Sequence, residues 1–259
     1  MYFIGQTHIM HQLQDVLPYL YEDHTKGTNF LLRGPSGWGK TRMSFMICNY
    51  LTGGDFEYCL GDRPTFNEEK RVHFIDEIHL IEHAEILYPV MDSGKYVIVL
   101  ATNDVALLPE ALSNRCEYQL IFSDYTLPEM RHMSRQWLQC NIPESHLDYV
   151  IESGASNPRI VKGIVSKLNI ALIRRPNALL GLTLDQFKDF LKETFGIQDG
   201  MDIMCNRYLD VLLALGGIAS LQTLSATLHI DSNTVKYYIE PILLFKNRIK
   251  ISSKGRSLI

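Results

Sequence analysis

The sequence lacks several features that would place it in a specialised class of protein. Its longest apolar run, Tyr96–Ala101, has six residues, whereas a membrane-spanning helix needs roughly 18. The five cysteines are odd in number and widely spaced, and no two form a CxxC pair. This argues against both a disulfide framework and a structural zinc site. The N-terminus has no basic stretch followed by an apolar core, so we expect a cytoplasmic protein without a secretory signal.

The sequence also lacks a large excess of charge of either sign. It has 259 residues, of which 25 are basic and 29 acidic, for a formal net charge of −4. Taken alone, this mild acidity argues against a globally basic nucleic-acid-binding protein. The charge is unevenly distributed, however, because residues 202–259 carry seven basic residues and four acidic ones. From Lys246 onward there are five basic residues and no acidic one. We therefore expect any nucleic-acid surface at the C-terminal end.

A phosphate-binding motif lies near the N-terminus. The segment Phe30–Thr41 reads FLLRGPSGWGKT and contains the pattern GxxxxGK[ST]. Glycines let successive backbone N–H groups point at phosphate oxygens, and the following helix N-terminus favours anions. Lys40 is expected at the β- and γ-phosphates and the Thr41 hydroxyl at Mg²⁺. The alternative is a chance glycine turn, which the strand–turn–helix context disfavours. The nucleotide contacts expected from this loop are Gly34, Pro35, Ser36, Gly37, Trp38, Gly39, Lys40, Thr41 and Arg42.

Two further buried strands end in polar residues suited to phosphate hydrolysis. Residues 72–75 run into Asp76, a candidate Mg²⁺ ligand, and Glu77, a candidate base for the attacking water. Without the upstream phosphate loop, this pair would be read as two solvated carboxylates at a helix start. The strand of residues 96–101 precedes Asn103, a candidate sensor of the γ-phosphate or the attacking water. An isolated Asn is more often a turn residue. His73 and His79 flank the first of these strands and are expected to be packing or local hydrogen-bonding groups.

Two arginines are candidates for completing the site. Arg115 follows the strand of residues 96–101 by a helix-length segment. It is a candidate arginine finger for the ATP of a neighbouring subunit, a contribution of roughly 10³–10⁵ in rate. Arg159 starts a predicted helix of the next domain and is expected to point at the γ-phosphate. The alternative for both residues is a salt bridge at the surface or between domains.

The order of predicted elements divides the chain into three domains. Residues 1–123 alternate strands with helices, which predicts a parallel sheet with helices on both faces. Residues 124–198 predict helices only, over 127–138, 145–152, 158–173 and 183–194. Residues 196–202 are expected to be a linker. Residues 199–259 predict helices over 206–215, 221–228 and 231–245, followed by a β-hairpin. This order is typical of a winged helix, and Pro241 predicts a kink in its third helix.

The basic hairpin and the helix before it form a candidate DNA-binding surface. Positive side chains on a wing supply phosphate contacts and non-specific affinity. The candidate residues are Lys236, Lys250, Lys254 and Arg256. The alternative is a solvated edge strand that is kept charged to prevent aggregation. Tyr238 and Ile239, on the same helix as Lys236, are expected in the core.

In their order along the chain, these motifs resemble those of the AAA+ ATPases. The phosphate loop is followed by FIDE, VIVLATN, LLPEALSNR and SNPR. The further stretches FIGQ, EILYPVMD, YTLPEM, EPIL and KGRSL are similar to the RuvB family of Holliday-junction branch-migration motors. The resemblance spans almost the whole chain. It implies an α/β AAA+ domain of the P-loop NTPase class, then an α-helical lid and a C-terminal winged helix.

The resemblance also implies roles for individual residues. Seven residues match family positions that have the roles given above: Lys40, Thr41, Asp76, Glu77, Asn103, Arg115 and Arg159. Arg256 matches the family's wing-tip arginine, which contacts DNA. Phe3 and Ile4 match the segment that covers the adenine, and Tyr125 matches an aromatic residue near the base at the domain junction. Asn103 stands where RuvB usually has Thr. ATP and Mg²⁺ are the implied cofactors, with DNA and further copies of the chain in a hexameric ring as partners.

Two intervals are shorter than in the RuvB family. Thr41 and Asp76 are separated by 34 residues, and Met91 and Asn103 by 11. In the family, the second interval holds a β-hairpin that docks on the partner RuvA. We therefore expect a protein partner other than RuvA, or none. The chain is interpreted as a streamlined relative from a bacterial or virus-infected bacterial cell.

Two functions are compatible with these observations. The first is a Mg-ATP-hydrolysing DNA motor, a helicase or translocase, that acts on branched or duplex DNA in recombination, repair or replication. The alternative is a non-motor AAA+ switch that assembles on a partner protein, such as a helicase or clamp loader or a recombination regulator. A protein-remodelling ATPase is less well supported, because no aromatic-glycine pore loop is evident in the sequence.

Overall fold

The computed structural model describes residues 3–259 and divides into two compact units. The first unit ends at Asp124, and the second is Tyr125–Ile259. All five cysteines lie in the described part of the chain and are free thiols. Among the helices of residues 3–259, none combines the length and the apolarity that crossing a membrane requires.

A five-stranded parallel sheet forms the centre of the first unit. Its strands are β1 (Thr28–Arg33), β2 (Glu57–Leu60), β3 (Val72–Asp76), β4 (Val97–Thr102) and β5 (Tyr118–Ile121). They lie in the order β2-β3-β4-β1-β5, and every neighbouring pair is parallel. The α-helices of the unit are α1 (Thr7–Glu22), α2 (Lys40–Thr52), α3 (Tyr88–Asp92) and α4 (Glu110–Ser113), with 3₁₀ turns at Ile78–Leu80, Ala84–Leu87 and Val105–Leu107. The predicted parallel sheet is confirmed.

Alternate residues of the central strands belong to two apolar layers, one on each face of the sheet. Phe30 and Leu32 of β1 pack in the layer that contains Ile47 of α2. Leu31, between them, belongs to the layer that contains Met91 of α3. Side chains of a strand point alternately to opposite faces, so both faces of this sheet are covered. This burial explains why β1, β3 and β4 read as continuous apolar runs.

Three elements of this unit carry little signal in the sequence. Strands β2 and β5 are four-residue edge strands with exposed positions, so neither has a continuous apolar run. Helix α1 begins after Gln6, which has a left-handed backbone (φ 53°) and no side-chain cap. It also contains Pro18. The usual start signal of a helix is therefore missing, and its interior contains a residue that normally ends one.

Helices alone form the first part of the second unit. They are α5 (Leu127–Trp137), α6 (Glu144–Ser153), α7 (Pro158–Arg174) and α8 (Leu184–Phe195), each within one residue of its predicted bounds. Thr126 caps α5 and Thr183 caps α8, and each forms a reciprocal capping box with the third helical residue. Such caps satisfy backbone N–H groups that a helix leaves without partners, which is why these starts were readable in the sequence.

The rest of the second unit is a winged helix, as predicted. Its helices are α9 (Ile203–Ala214), α10 (Leu221–Leu228), α11 (Ser232–Thr234) and α12 (Glu240–Phe245). Its strands are β6 (Ile218–Ala219), β7 (Ile249–Ser252) and β8 (Gly255–Leu258). The strands form an antiparallel sheet in the order β6-β8-β7. The two-residue strand β6 adds a third strand to the predicted hairpin.

A π-helical turn, Val235–Ile239, joins α11 to α12 and precedes Pro241. Proline has no N–H, and its ring would clash with the carbonyl four residues earlier. A π turn shifts the hydrogen-bond register at that point. The irregularity that Pro241 predicts therefore takes the form of a π turn.

The predicted linker at residues 196–202 is a packed turn. Gln198 and Met201 form an isolated β-bridge, and Met201 is buried. The Gly200 N–H donates a hydrogen bond to the Tyr149 hydroxyl of α6 at 3.0 Å. The Lys246 Nζ lies 3.1 Å from the Glu152 Oε1 of α6. These contacts tie the winged helix to the preceding helices, so this segment is not a free linker.

Candidate functional site

The phosphate loop connects β1 to α2. Gly37 (φ 85°) and Gly39 (φ 97°) have left-handed backbones, which glycine adopts without steric cost. Lys40 opens α2 and is 7% exposed. Its Nζ donates to the Gly34 carbonyl at 2.8 Å and to the Pro35 carbonyl at 2.9 Å. The lysine therefore folds back over the loop that would hold the phosphates.

The Thr41 hydroxyl and the Asp76 carboxylate meet at the carboxyl edge of the sheet. Thr41 Oγ1 donates to Asp76 Oδ2 at 2.8 Å, and the other carboxylate oxygen accepts from the Glu77 N–H at 3.0 Å. A hydroxyl beside a carboxylate is a suitable Mg²⁺ set, since this ion takes few protein ligands and keeps water and phosphate oxygens around it. These two residues, predicted as metal ligands, are brought together.

Glu77 follows β3 with a strained backbone. Its φ is 50°, which is unusual for a residue with a side chain. Such strain concentrates at functional sites. Although 38% of its side chain is exposed, its Oε2 is buried and accepts no hydrogen bond from the described residues. The His79 Nδ1 lies 3.4 Å from this oxygen.

Asn103 follows β4, the neighbour of β3, so the two strand ends lie side by side. Its Oδ1 is buried and has no hydrogen-bond partner within residues 3–259. A buried polar atom normally has a partner. With Glu77 Oε2, it leaves two unsatisfied oxygens beside the phosphate loop. The residues present therefore fit a bound nucleotide with Mg²⁺.

Arg115 is engaged within its own chain. Its Nε donates to Asp92 Oδ1 at 2.9 Å, and its Nη1 donates to the Ala111 carbonyl at 2.8 Å. The guanidinium also stacks 4.1 Å above the centre of the Tyr88 ring. About a third of the side chain remains exposed, 30%. The salt bridge, which is the alternative to a role as arginine finger, is thus present. The role of Arg115 as a finger for a neighbouring subunit stays a prediction.

The remaining predicted nucleotide contacts divide between the two units. Phe3 is half-buried in the first unit, with its ring 6.4 Å from the Phe122 ring and 5.9 Å from the Arg42 guanidinium. Ile4 beside it is also half-buried. Tyr125 is buried in the second unit, and Arg159 is exposed there. The roles of these residues toward the nucleotide stay predictions.

Gln6, the last residue of the FIGQ stretch, has no predicted role of its own, but it fixes the N-terminal segment to the end of the sheet. Its Nε2 donates to the Ser123 carbonyl at 2.7 Å, and its Oε1 accepts from the Ser123 N–H at 2.9 Å. The side chain thereby holds the segment of Phe3 beside the phosphate-loop unit.

Two of the four candidate DNA contacts lie exposed on the wing. Lys250 is on β7 and Lys254 is in the turn between β7 and β8. Lys236 is exposed on the π turn, with its Nζ 4.8 Å from the centre of the Tyr237 ring. These three lysines are on the surface of the winged helix, where phosphates can reach them.

Arg256 differs from the other three candidates. Its Nε donates to Glu240 Oε1 at 2.8 Å and its Nη2 to Oε2 at 3.3 Å. The side chains of Arg256 and Glu240 are 17% and 2% exposed. Tyr208 also donates to this carboxylate, at 3.1 Å. The Arg256 guanidinium therefore neutralises a buried carboxylate of its own chain, and its contact with DNA stays a prediction.

The Glu240 carboxylate affects both of its partners. The Arg256 pKa is raised, chiefly by the hydrogen bond to Glu240. The Tyr208 pKa is raised by burial and by the neighbouring negative charge. Tyr208 therefore stays a neutral hydrogen-bond donor, and Arg256 stays charged. The sequence shows the three residue types, but nothing in their spacing indicates that they meet.

The expectation that Tyr238 lies in the core is wrong. Ile239 is fully buried, but Tyr238 is 39% exposed. The Tyr238 hydroxyl donates to Asp202 Oδ2 at 3.0 Å, and its pKa is raised by burial and by the Asp202 charge. The π turn rotates this part of the helix relative to a regular α-helix, which a count at helical spacing does not anticipate.

Comparisons with known proteins cover almost the whole chain. Residues 198–259 match the family model described as the RuvB C-terminal winged helix domain. The RuvB subunits of the Holliday junction branch migration complex from Kosmotoga olearia and Mycoplasma genitalium are 27% and 26% identical to this chain. Each alignment covers 98% of this chain, and they cover 84% and 92% of the relatives, respectively.

The fold is also that of a solved structure. The Thermotoga maritima RuvB Holliday junction branch migration motor is similar with a TM-score of 0.84 at 22% identity, over 99% of this chain and 93% of that one. The resemblance to RuvB is confirmed, and so is the AAA+ fold followed by a winged helix.

Proposed function

Because the chain is similar to RuvB over almost its whole length, we propose that it is an ATP-hydrolysing DNA motor of the RuvB type. The observation that carries the proposal is the edge of the sheet where the phosphate loop, the Thr41–Asp76 pair, Glu77 and Asn103 lie together. A winged helix with exposed lysines on the same chain supplies a surface for the DNA.

Each residue of this edge has one task in hydrolysis. Lys40 and the loop N–H groups bind the phosphates, and Thr41 and Asp76 hold Mg²⁺. When bound, the ion neutralises charge that develops on the phosphates. Glu77 accepts the proton of the attacking water through its free Oε2. Asn103 orients that water or the γ-phosphate through its amide.

Assembly would complete the site. We propose a homo-oligomer, a hexameric ring, in which Arg115 of one subunit contacts the ATP of the next. In that role Arg115 either breaks its salt bridge with Asp92 or keeps it, in which case Asp92 orients the guanidinium. Tyr125 and Arg159 of the second unit would contact the base and the γ-phosphate. Phe3 and Ile4 would cover the adenine.

The DNA would bind through phosphate contacts of Lys236, Lys250 and Lys254. Such contacts hold DNA of any sequence and weaken as salt is added. We propose branched or duplex DNA as the substrate in recombination, repair or replication, and the cytoplasm as the site of action.

The connection before β4 bears on the protein partner. Only residues 93–96 connect α3 to β4, so this part of the described chain holds no β-hairpin. We infer that a partner, if one is used, is not held in the way that RuvA is held by the family hairpin. The short connection also keeps the non-motor switch as a second candidate.

DNA-stimulated ATP hydrolysis tests the proposal. The purified chain should hydrolyse ATP, and a four-way junction should raise the rate. Binding of junction, fork and linear duplex, with and without ATP, would then identify the preferred DNA. Hydrolysis that no DNA structure affects would instead support a switch that responds to a protein.

A further inference from the structure

His79 lies between the proposed base and the strand that carries the proposed sensor. It belongs to the 3₁₀ turn that follows Glu77, and its side chain is only 9% exposed. Its Nδ1 lies 3.1 Å from Thr102 Oγ1, at the end of β4, and 3.4 Å from Glu77 Oε2. Asn103 is the next residue after Thr102.

His79 Nδ1 cannot form the same kind of hydrogen bond with Thr102 and with Glu77. A neutral imidazole nitrogen either carries a proton and donates, or has a lone pair and accepts. Thr102 Oγ1 already accepts a hydrogen bond from the Asp104 N–H at 3.0 Å. Its own hydroxyl proton can therefore point at His79 Nδ1. In that arrangement, Glu77 Oε2 faces a lone pair and gains no hydrogen bond.

The other arrangement satisfies the carboxylate. It requires Thr102 to withdraw from Nδ1, because a proton on Nδ1 now faces Thr102 Oγ1, and Glu77 Oε2 at 3.4 Å accepts no hydrogen bond. Once Thr102 has withdrawn, the ring can turn its Nδ1–H to Glu77 Oε2. A buried carboxylate oxygen without a hydrogen-bond partner is destabilising. The two arrangements therefore differ in whether Oε2 is held by His79 or is free to accept a proton from water.

We propose that His79 is a positioning residue that couples Glu77 to the end of β4 through Thr102. This inference rests on the proposed hydrolysis of ATP. When Thr102 donates to Nδ1, Glu77 is released toward the attacking water. When Thr102 withdraws, Nδ1 donates to Glu77 and holds it. A small displacement at Asn103, next to Thr102, would thus control the proposed base.

Two substitutions of His79 test the coupling by kinetics. His79→Phe keeps a ring of similar size and removes both nitrogens, so kcat for ATP should fall at least about tenfold while KM changes less than about twofold. His79→Asn, which keeps a hydrogen-bonding group near the Nδ1 position, should recover part of the loss. His83→Phe is the matched control, because His83 also lies beside a glutamate, 3.2 Å from Glu85, but is 74% exposed. It should leave kcat unchanged.

A second measurement does not depend on turnover. The ¹⁵N NMR signals of the His79 ring, assigned by their absence in His79→Phe, report which nitrogen carries the proton. Thr102→Val keeps the shape of the residue and removes the hydroxyl, so the proton should move toward Nδ1. The same variant should lower kcat, because Glu77 would stay held.

The outcomes distinguish a failure of the His79 coupling from a failure of the proposed ATP hydrolysis. Unchanged kcat in His79→Phe, or an unchanged His79 tautomer in Thr102→Val, would overturn the coupling. A wild-type chain that binds ATP but never hydrolyses it would overturn the proposed function, whereas the tautomer measurement would still report on the contact. Circular dichroism of each variant shows whether a loss of kcat reflects unfolding.

Discussion

Glu77 is the residue on which the proposed hydrolysis depends most directly. Glu77→Gln preserves the shape of the side chain but removes its ability to take a proton. We expect ATP hydrolysis to fall by about 10²–10⁴ while nucleotide binding survives. Lys40→Ala should instead weaken binding itself, because it removes the charge over the phosphate loop. Turnover and binding of a fluorescent ATP analogue distinguish the two; normal turnover in Glu77→Gln would show that another group is the base.

Arg115 can be tested by mixing two inactive variants. If it acts in the neighbouring site, Arg115→Ala should lower kcat by about 10³ or more. A mixture of Arg115→Ala and Glu77→Gln subunits should regain activity, because some interfaces then combine an intact base with an intact finger. Loss of thermal stability with normal kcat would instead assign Arg115 to its salt bridge with Asp92.

At single positions, the sequence was informative where a motif fixes both residue type and spacing. Lys40, Thr41 and Asp76 meet as predicted, because a phosphate loop and the end of the adjacent buried strand leave them little freedom. The partners of Arg115 and Arg256 were not predictable in this way. Asp92 is 23 residues from Arg115, and Glu240 is 16 residues from Arg256. Only the folded chain brings these charges together.

Within the winged helix, Arg256 and the wing lysines should respond differently to substitution. Arg256→Ala would leave the Glu240 carboxylate buried without its counter-charge, at a cost of about 3–5 kcal/mol in unfolding free energy. Glu240→Gln should cost less, because an amide oxygen can still accept from Tyr208. Chemical denaturation measures both. Equal stability of Arg256→Ala and the wild type would show that the pair with Glu240 contributes little to folding.

The exposed lysines of the wing should affect DNA binding and leave stability unchanged. Lys250→Ala with Lys254→Ala should weaken binding to DNA of any sequence and reduce the dependence of log K on log salt by about one per lysine. Titrations at several salt concentrations test this. Unchanged affinity and slope would show that the wing does not contact DNA.

The capped helices offer a test of local stability. Thr183→Ala removes the cap of α8 and should lower the unfolding free energy by about 0.5–2 kcal/mol. Thr194→Ala, at an exposed position in the last turn of the same helix, should change it by less than about 0.5 kcal/mol. Similar losses in both variants would mean that the cap contributes little.

Elements were predictable to the extent that local signals mark them. Helix α10 has its predicted bounds of 221–228, since Ser220 caps it and Gly216-Gly217 precede it. Strands β2 and β6 are short and depend on a neighbouring strand for their hydrogen bonds. No local sequence pattern predicts these two strands. The π turn before Pro241 was predictable only in part. The proline indicates that the helix is irregular, but it does not indicate the form of the irregularity.

For the whole molecule, the order of motifs predicted an AAA+ unit and a winged helix, and both are present. The weakly acidic net charge is an average over unlike parts of the chain, since the exposed wing lysines lie in a basic C-terminal segment. The identity of a protein partner was not predictable, and the number of subunits was only implied by the resemblance. Both depend on surfaces whose counterparts belong to other chains.

Migration of a synthetic Holliday junction tests the central claim most directly. A junction with labelled arms is incubated with the chain and ATP, and the separated duplex products are measured over time. The account predicts migration faster than spontaneous exchange with the wild-type chain, and none with Glu77→Gln at equal junction binding. If the wild-type chain binds the junction and hydrolyses ATP but the junction stays in place, the motor is contradicted and the switch is favoured.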